Sequence, residues 1–129
     1  MIDSLLLDTC ALLWLASGSR NLSKSARTAI SNAQVVYVSP VTAWEIAVKV
    51  AKGKIVLPRP AREWFDAVVS LYDIDVLKLS ADDMLRSVEL PWHHKDPADR
   101  FIIATALKND FTVVTADGNF PKYGVHTIC

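Results

Sequence analysis

Glycine is scarce in this chain of 129 residues: the 4 present are scattered, and none forms a Gly-rich turn able to cradle a phosphate. A phosphate-loop nucleotide hydrolase is excluded on that ground. Cysteine is scarcer still. Cys10 and Cys129 offer no disulfide framework, which points to a reduced, cytoplasmic protein. Cys10 follows an apolar run and is expected to be buried. Net charge is also missing, since 14 Lys and Arg balance 14 Asp and Glu, so bulk composition gives no electrostatic case for nucleic acid. The apolar stretch from Leu5 to Ala16 is interrupted by Asp8 and preceded by Asp3 instead of basic residues, unlike a signal peptide. Nothing approaches the roughly 18 uninterrupted apolar residues of a membrane span, and no membrane partner is expected. Repeats, low-complexity tracts and linkers are absent too. With 51% apolar and 22% charged residues, the chain reads as one globular domain over residues 1–129.

What is present is an alternation of short apolar strands and helices. Residues 4–7 read as a buried strand that runs at Asp8-Thr9 into a helix carrying Leu12, Leu13 and Leu15, ended by Ser17-Gly18-Ser19. A second helix opens at Leu22-Ser23. Residues 35–38 are β-branched or aromatic and predict a second strand. Ser39-Pro40 pairs a cap with a first-turn proline, and Val41, Trp44 and Val48 recur on one side of the helix that follows. Further helices are expected over 61–71, from Ser80 to about Leu90, and from Asp96-Pro97 to Asn109-Asp110. Strands are expected over 74–77 and 112–115, with an edge strand over 125–128. This order implies an α/β fold with a mostly parallel sheet of four to five strands, flanked by helices.

Four carboxylates fall where elements start or end. Asp8 closes Leu5-Leu6-Leu7, and Asp117 follows Thr112-Val-Val-Thr-Ala. Glu45 lies in the first turns after Ser39, and Asp99 near the helix start at Asp96. Ligands in parallel α/β sheets bind beyond the carboxyl ends of the strands, and an oxygen-rich pocket there suits a hard divalent cation. Each acid alone also has a structural reading. Asp8 can cap a helix, Glu45 can pair with Lys49, Asp99 can favour a helix amino end, and Asp117-Gly118 can be a turn. Lys49, Lys52, Lys54, Arg59 and Arg62 form a basic strip with no acid among them. It reads equally as a solvated face or as a track for a phosphate backbone.

Taken in order, Leu5-Leu-Leu-Asp-Thr, Ser39-x-x-x-x-Trp-Glu-Ile, Asp96-Pro-Ala-Asp-Arg-x-Ile-Ile-Ala-x-Ala and Val113-Val-Thr-Ala-Asp resemble the PIN domain, and within it the small VapC-like toxins. The likeness runs over nearly the whole chain. It implies a metal-dependent endoribonuclease using magnesium or manganese, with Asp8, Glu45 and Asp99 as core acids and Asp117 as a fourth. It also implies hydrolysis by a metal-activated water that leaves a 5′-phosphate, a homodimer, and a small antitoxin partner. Thr9 and Thr115 match hydroxyl positions near the family's pocket, and Asp96 is read as a helix cap.

Magnesium or manganese would both generate the nucleophile and neutralise charge, so no histidine is needed as base. His93 and His94 flank the Asp96 motif and could reach substrate, but they read first as surface-loop residues. Trp92 has two readings, as a platform for an RNA base or as an anchor for its loop. A haloacid-dehalogenase-type phosphotransferase would need a second acid two residues after Asp8, where Cys10 stands. The remaining rival is an inactive PIN-like module that only binds RNA or protein, against which the intact acid set argues.

Overall fold

The computed structural model describes residues 4–129; Asp3 lies outside the described residues. The elements are β1 (Ser4–Leu7), α1 (Thr9–Ser17), α2 (Lys24–Asn32), β2 (Val35–Val38), α3 (Pro40–Ala51), α4 (Ala61–Leu71), β3 (Ile74–Val76), α5 (Ala81–Glu89), α6 (Pro97–Asn109), β4 (Thr112–Val114) and β5 (Thr127–Ile128). A short 3₁₀ turn over Phe120–Tyr123, which the sequence pattern did not announce, lies between β4 and β5.

The strands form one sheet in the order β3-β2-β1-β4-β5, and every described pairing is parallel. The expected mostly parallel sheet is thus parallel throughout its five described strands. β1 explains why. Leu5, Leu6 and Leu7 are all 0% exposed, which only a strand covered on both faces can achieve. Alternation then divides them between two cores. Leu5 and Leu7 pack with Leu12, Ile46, Trp64 and Val68; Leu6 packs with Ile102, Ile103, Val113 and Phe120. Each such leucine contributes about 1.5–3 kcal/mol of transfer free energy.

Helix boundaries follow local chemistry. Ser23, Ser39 and Ser80 cap α2, α3 and α5 through their side chains. Gly18, at φ +69°, ends α1 in the left-handed conformation that glycine adopts without penalty. Asp110, at φ +56°, ends α6 the same way. One burial expectation fails. Cys10 is exposed, because the first turn of α1 presents that position away from the sheet. Trp44 is 58% exposed, whereas Val41, Thr42 and Ile46 form the inward face of α3.

Candidate metal centre

The strand order reverses direction at β1, which has β2 on one side and β4 on the other. Such a switch point opens a crevice beyond the carboxyl ends of the two central strands. Asp8 is the first residue after β1, and its backbone N–H donates to the carbonyl of Val114 at 3.2 Å, extending the β1–β4 pairing. Asp117 leaves β4 after Thr115 and Ala116. Two acids therefore arrive from adjacent strands.

The other acids arrive on helices. Ser39 and Thr42 are wholly buried at the start of α3, and the Thr42 hydroxyl lies 3.1 Å from that of Thr9 on α1. Glu45 stands one turn beyond Thr42. It meets Lys49 Nζ at 3.5 Å, while its Oε1 is buried without a hydrogen-bond partner among the described residues. On α6, Asp96 accepts the Asp99 N–H at 3.0 Å as the cap, which leaves the Asp99 carboxylate free of that task. Asp8, Glu45, Asp96, Asp99 and Asp117 all line one cavity of about 180 Å³, together with Lys49, among others. The structure thus brings together all four acids singled out in the sequence, and the exposed Cys10 lines the same cavity.

The structural readings of these acids also hold. Asp8 caps α1 through the Ala11 N–H at 2.8 Å, Glu45 pairs with Lys49, and Asp117 accepts the Asn119 N–H at 2.8 Å in a turn. A carboxylate has about four acceptor positions, so one local bond leaves the rest available. Thr115 braces the turn that carries Asp117, its hydroxyl oxygen accepting the Asp117 N–H at 3.0 Å. Thr9 reaches the Thr42 hydroxyl and so braces α1 against α3.

The acids are held in an environment that disfavours their charge. Burial raises the Asp8 carboxyl, with Asp117 and Glu45 adding repulsion, while the Thr115 hydroxyl and Ala11 N–H oppose the shift. Burial raises the Asp99 carboxyl to about 7, with repulsion from Asp96, Glu45 and Asp8 adding to it and His94 opposing it. Converging carboxylates, a raised acid and an unpartnered buried oxygen fit a hard divalent cation, which would satisfy all three.

His94 is not a surface residue. Its side chain is 13% exposed, and Nε2 lies 2.9 Å from Asp99 Oδ2 and 2.8 Å from Asp117 Oδ2. The sequence signal was its spacing from the Asp96 motif, but spacing alone does not say which way a loop turns. His93 is exposed and packs edge-on against Tyr123. Trp92 is 65% exposed and lies over the Arg100 guanidinium at 3.6 Å, so one face anchors the loop and the other is open. Arg100 is the other residue whose role sequence reading missed. It is 3% exposed and donates to the carbonyls of Val88, Leu90, Pro91 and His94.

The family model of the PIN domain matches residues 5–125. The chain is 28% identical over 117 residues to Ribonuclease VapC22 of Mycobacterium tuberculosis, covering 90% of this chain and 88% of that protein. Among solved structures it is similar to VapBC2 from Rickettsia felis, bound to a DNA fragment of its promoter. That match has a TM-score of 0.70 and 15% identity and covers 97% of each chain. It is also similar to Mycobacterium tuberculosis VapC20, described as a sarcin–ricin loop-cleaving toxin. There the TM-score is 0.67 at 16% identity, over 94% of this chain and 95% of that one. At those identities the solved structures establish a shared fold.

Proposed function

The chain belongs to the PIN-domain family, and from that premise we propose that it is a metal-dependent endoribonuclease, the toxin of a toxin–antitoxin pair. In this reading Asp8, Glu45, Asp99 and Asp117 hold a magnesium or manganese ion. The observation that carries it is the convergence of four carboxylates from four parts of the fold on one cavity, with Glu45 Oε1 left unpartnered. A bound ion supplies a Lewis acid for the phosphodiester and lowers the pKa of a water. The protein's own part is to fix the acids. Thr115 holds the backbone of Asp117, the Thr9–Thr42 contact holds α3 and hence Glu45, and Asp96 caps α6 so that Asp99 is free.

RNA as the substrate is supported by the relative described as a ribonuclease and by the basic strip. Lys49 stands at the cavity, and Lys52, Lys54, Arg59 and Arg62 continue from it on exposed positions. Cleavage is proposed to leave a 5′-phosphate. Similarity to the VapBC2 complex supports a small antitoxin partner. So does a groove of about 280 Å³ lined by Trp44, Phe65 and Arg62, among others, since exposed apolar surface of this kind marks interaction sites. A homodimer, a cytoplasmic location and a single domain over residues 1–129 complete the reading. No described helix is long and apolar enough to cross a membrane.

The test is cleavage of total RNA by purified protein, with cut ends mapped. Activity should vanish in EDTA and return with added magnesium or manganese. Cleavage that persists in EDTA, together with wild-type activity in Asp8→Asn, overturns the reading. A protein that binds RNA but cuts none with either ion is instead the inactive module. Expression alone should slow growth, and co-expression of the neighbouring small open reading frame should relieve it.

A further inference from the structure

The loop between α5 and α6 is bound to the body of the protein unusually tightly for a connection. The Arg100 guanidinium is buried with no carboxylate in contact among the described residues; carbonyl oxygens of Val88, Leu90, Pro91 and His94 take its donors at 2.8–3.3 Å. Trp92 covers its open face. Tyr123 adds a second fastening, accepting the His94 N–H at 2.8 Å and donating to the Pro91 carbonyl at 2.7 Å. The backbone of His94 is therefore held at both its N–H and its carbonyl.

The ring is oriented as well. The Asp96 backbone N–H donates to His94 Nδ1 at 3.3 Å, which requires a lone pair on that nitrogen. The ring proton then belongs on Nε2, the nitrogen that faces Asp99 and Asp117. Nε2 carries a donor there and has no free lone pair for a metal. Its distance from Asp99 and Asp117 would otherwise let it join them as a ligand, and its ring packs edge-on against Phe120.

We propose that His94 is a positioning residue whose Nε2–H bridges Asp99 Oδ2 and Asp117 Oδ2, holding the two carboxylates together for a divalent cation without binding that cation itself. One donor shared between two carboxylates offsets part of their repulsion and uses a single acceptor position on each. The bonds are charge-assisted. Asp99 and Arg100 are neighbours in the first turn of α6, so one helix start supplies an acid to the cavity and the clamp that sets the loop. The arrangement reverses the usual outer-sphere pattern, in which a carboxylate orients a ligating histidine. Here a histidine orients the carboxylates.

The inference rests on the proposed metal site, and three measurements separate the two. In metal-free protein labelled with ¹⁵N-histidine, the NMR spectrum should show a proton on His94 Nε2; a ring with Nε2 unprotonated overturns the proposal. Pulsed EPR of the manganese-loaded protein should show no directly coordinated ¹⁴N. A direct coupling that disappears in His94→Gln would make His94 a ligand and sink the idea. Calorimetric titration with manganese should give about 10- to 100-fold weaker binding for His94→Leu. His94→Gln keeps an N–H donor the same number of bonds from the backbone and should retain affinity close to wild type. Unchanged binding in the leucine variant, or equal loss in both, overturns the positioning role while the metal site stands. If wild type binds neither manganese nor magnesium, the proposed function falls and the inference with it. Should the leucine variant fail to fold, the tautomer, the EPR spectrum and the glutamine variant still decide.

Discussion

At the amino end of α5, Asp82 and Asp83 are each provided with partners. Asp82 meets Arg86 at 2.7 Å and Lys108 at 3.3 Å. Asp83 meets Lys108 at 3.0 Å and accepts the N–H and hydroxyl of Ser80 in a reciprocal capping box. At the carboxyl ends of β1 and β4, Asp8, Glu45, Asp99 and Asp117 each meet a local partner yet crowd together around one cavity. The consequences are opposite. Backbone and side-chain donors from Ser80 and Lys108 lower the Asp83 carboxyl to about 2, while burial and neighbouring acids raise Asp99 to about 7. Acids that are satisfied within the fold are explained by stability. Acids that the fold leaves buried and repelling call for a ligand, which is why perturbed groups in a cleft point to function.

The largest expected difference between the two regions is in catalysis. Asp8→Asn or Asp99→Asn should reduce RNA cleavage by more than about 100-fold, beyond the usual cost of losing a supporting group around a metal. Asp83→Asn should cleave like wild type. Comparable losses in all three, measured on one RNA with folded protein, would erase the distinction.

Next in size is Arg100, which joins the α5–α6 region to the cavity. Arg100→Met removes the donor shared by four backbone carbonyls and should cost about 3 kcal/mol in denaturant unfolding. Manganese affinity should fall with it, because the His94 loop loses its clamp. A stable variant with intact metal affinity would show that the loop is held by Tyr123 and packing alone.

The pH dependence of the metal-free protein should carry opposite signs in the two regions. Asp99 has a folded value above its unfolded 3.8, so its contribution is fully present below that pH and is lost as pH rises toward about 7. Asp83 has a folded value of about 2, below its unfolded 3.8. Its contribution is present above 3.8 and is lost as pH falls toward 2. Melting curves from pH 2 to 8 in EDTA should show both limbs, and Asp99→Asn should flatten only the upper one.

The smallest effect is on stability at neutral pH. Asp83→Asn should cost about 1 kcal/mol through the weakened capping box. In EDTA, Asp8→Asn and Asp99→Asn should melt at or above the wild-type temperature, since asparagine still caps Asp8's helix and one repelling charge is gone. Magnesium should stabilise the wild type more than either variant. Acid variants that lose stability without metal would count against the shared cavity.

Much of the site was legible because the residues that build it also punctuate the chain. Asp8 ends an apolar triplet, Asp96-Pro97 starts a helix, and Asp117-Gly118 makes a turn, so local rules located them before any fold was known. Glu45 needed the family pattern, since its neighbour Lys49 offered an adequate local explanation. His94 was misread because a loop residue has no periodicity to give its direction. Its orientation depends on Arg100 and Tyr123, the latter 29 residues away. The side of α3 that faces the core was not legible for a related reason. Helical spacing identified a stripe of Val41, Trp44 and Val48, but the inward side of α3 is set by the neighbours it packs against.

The alternation of apolar strands and capped helices, the parallel sheet, and the four acids at element ends were determined by the sequence alone, because they depend on short-range stereochemistry and on the burial of contiguous apolar residues. Tertiary structure decided which acids share a cavity, that Glu45 keeps an oxygen without a partner, and that His94 stands between Asp99 and Asp117. Those outcomes depend on the strand order β3-β2-β1-β4-β5, which sets β1 beside β4 and makes the crevice. They depend equally on contacts between residues far apart in the chain, whose energies no local pattern records.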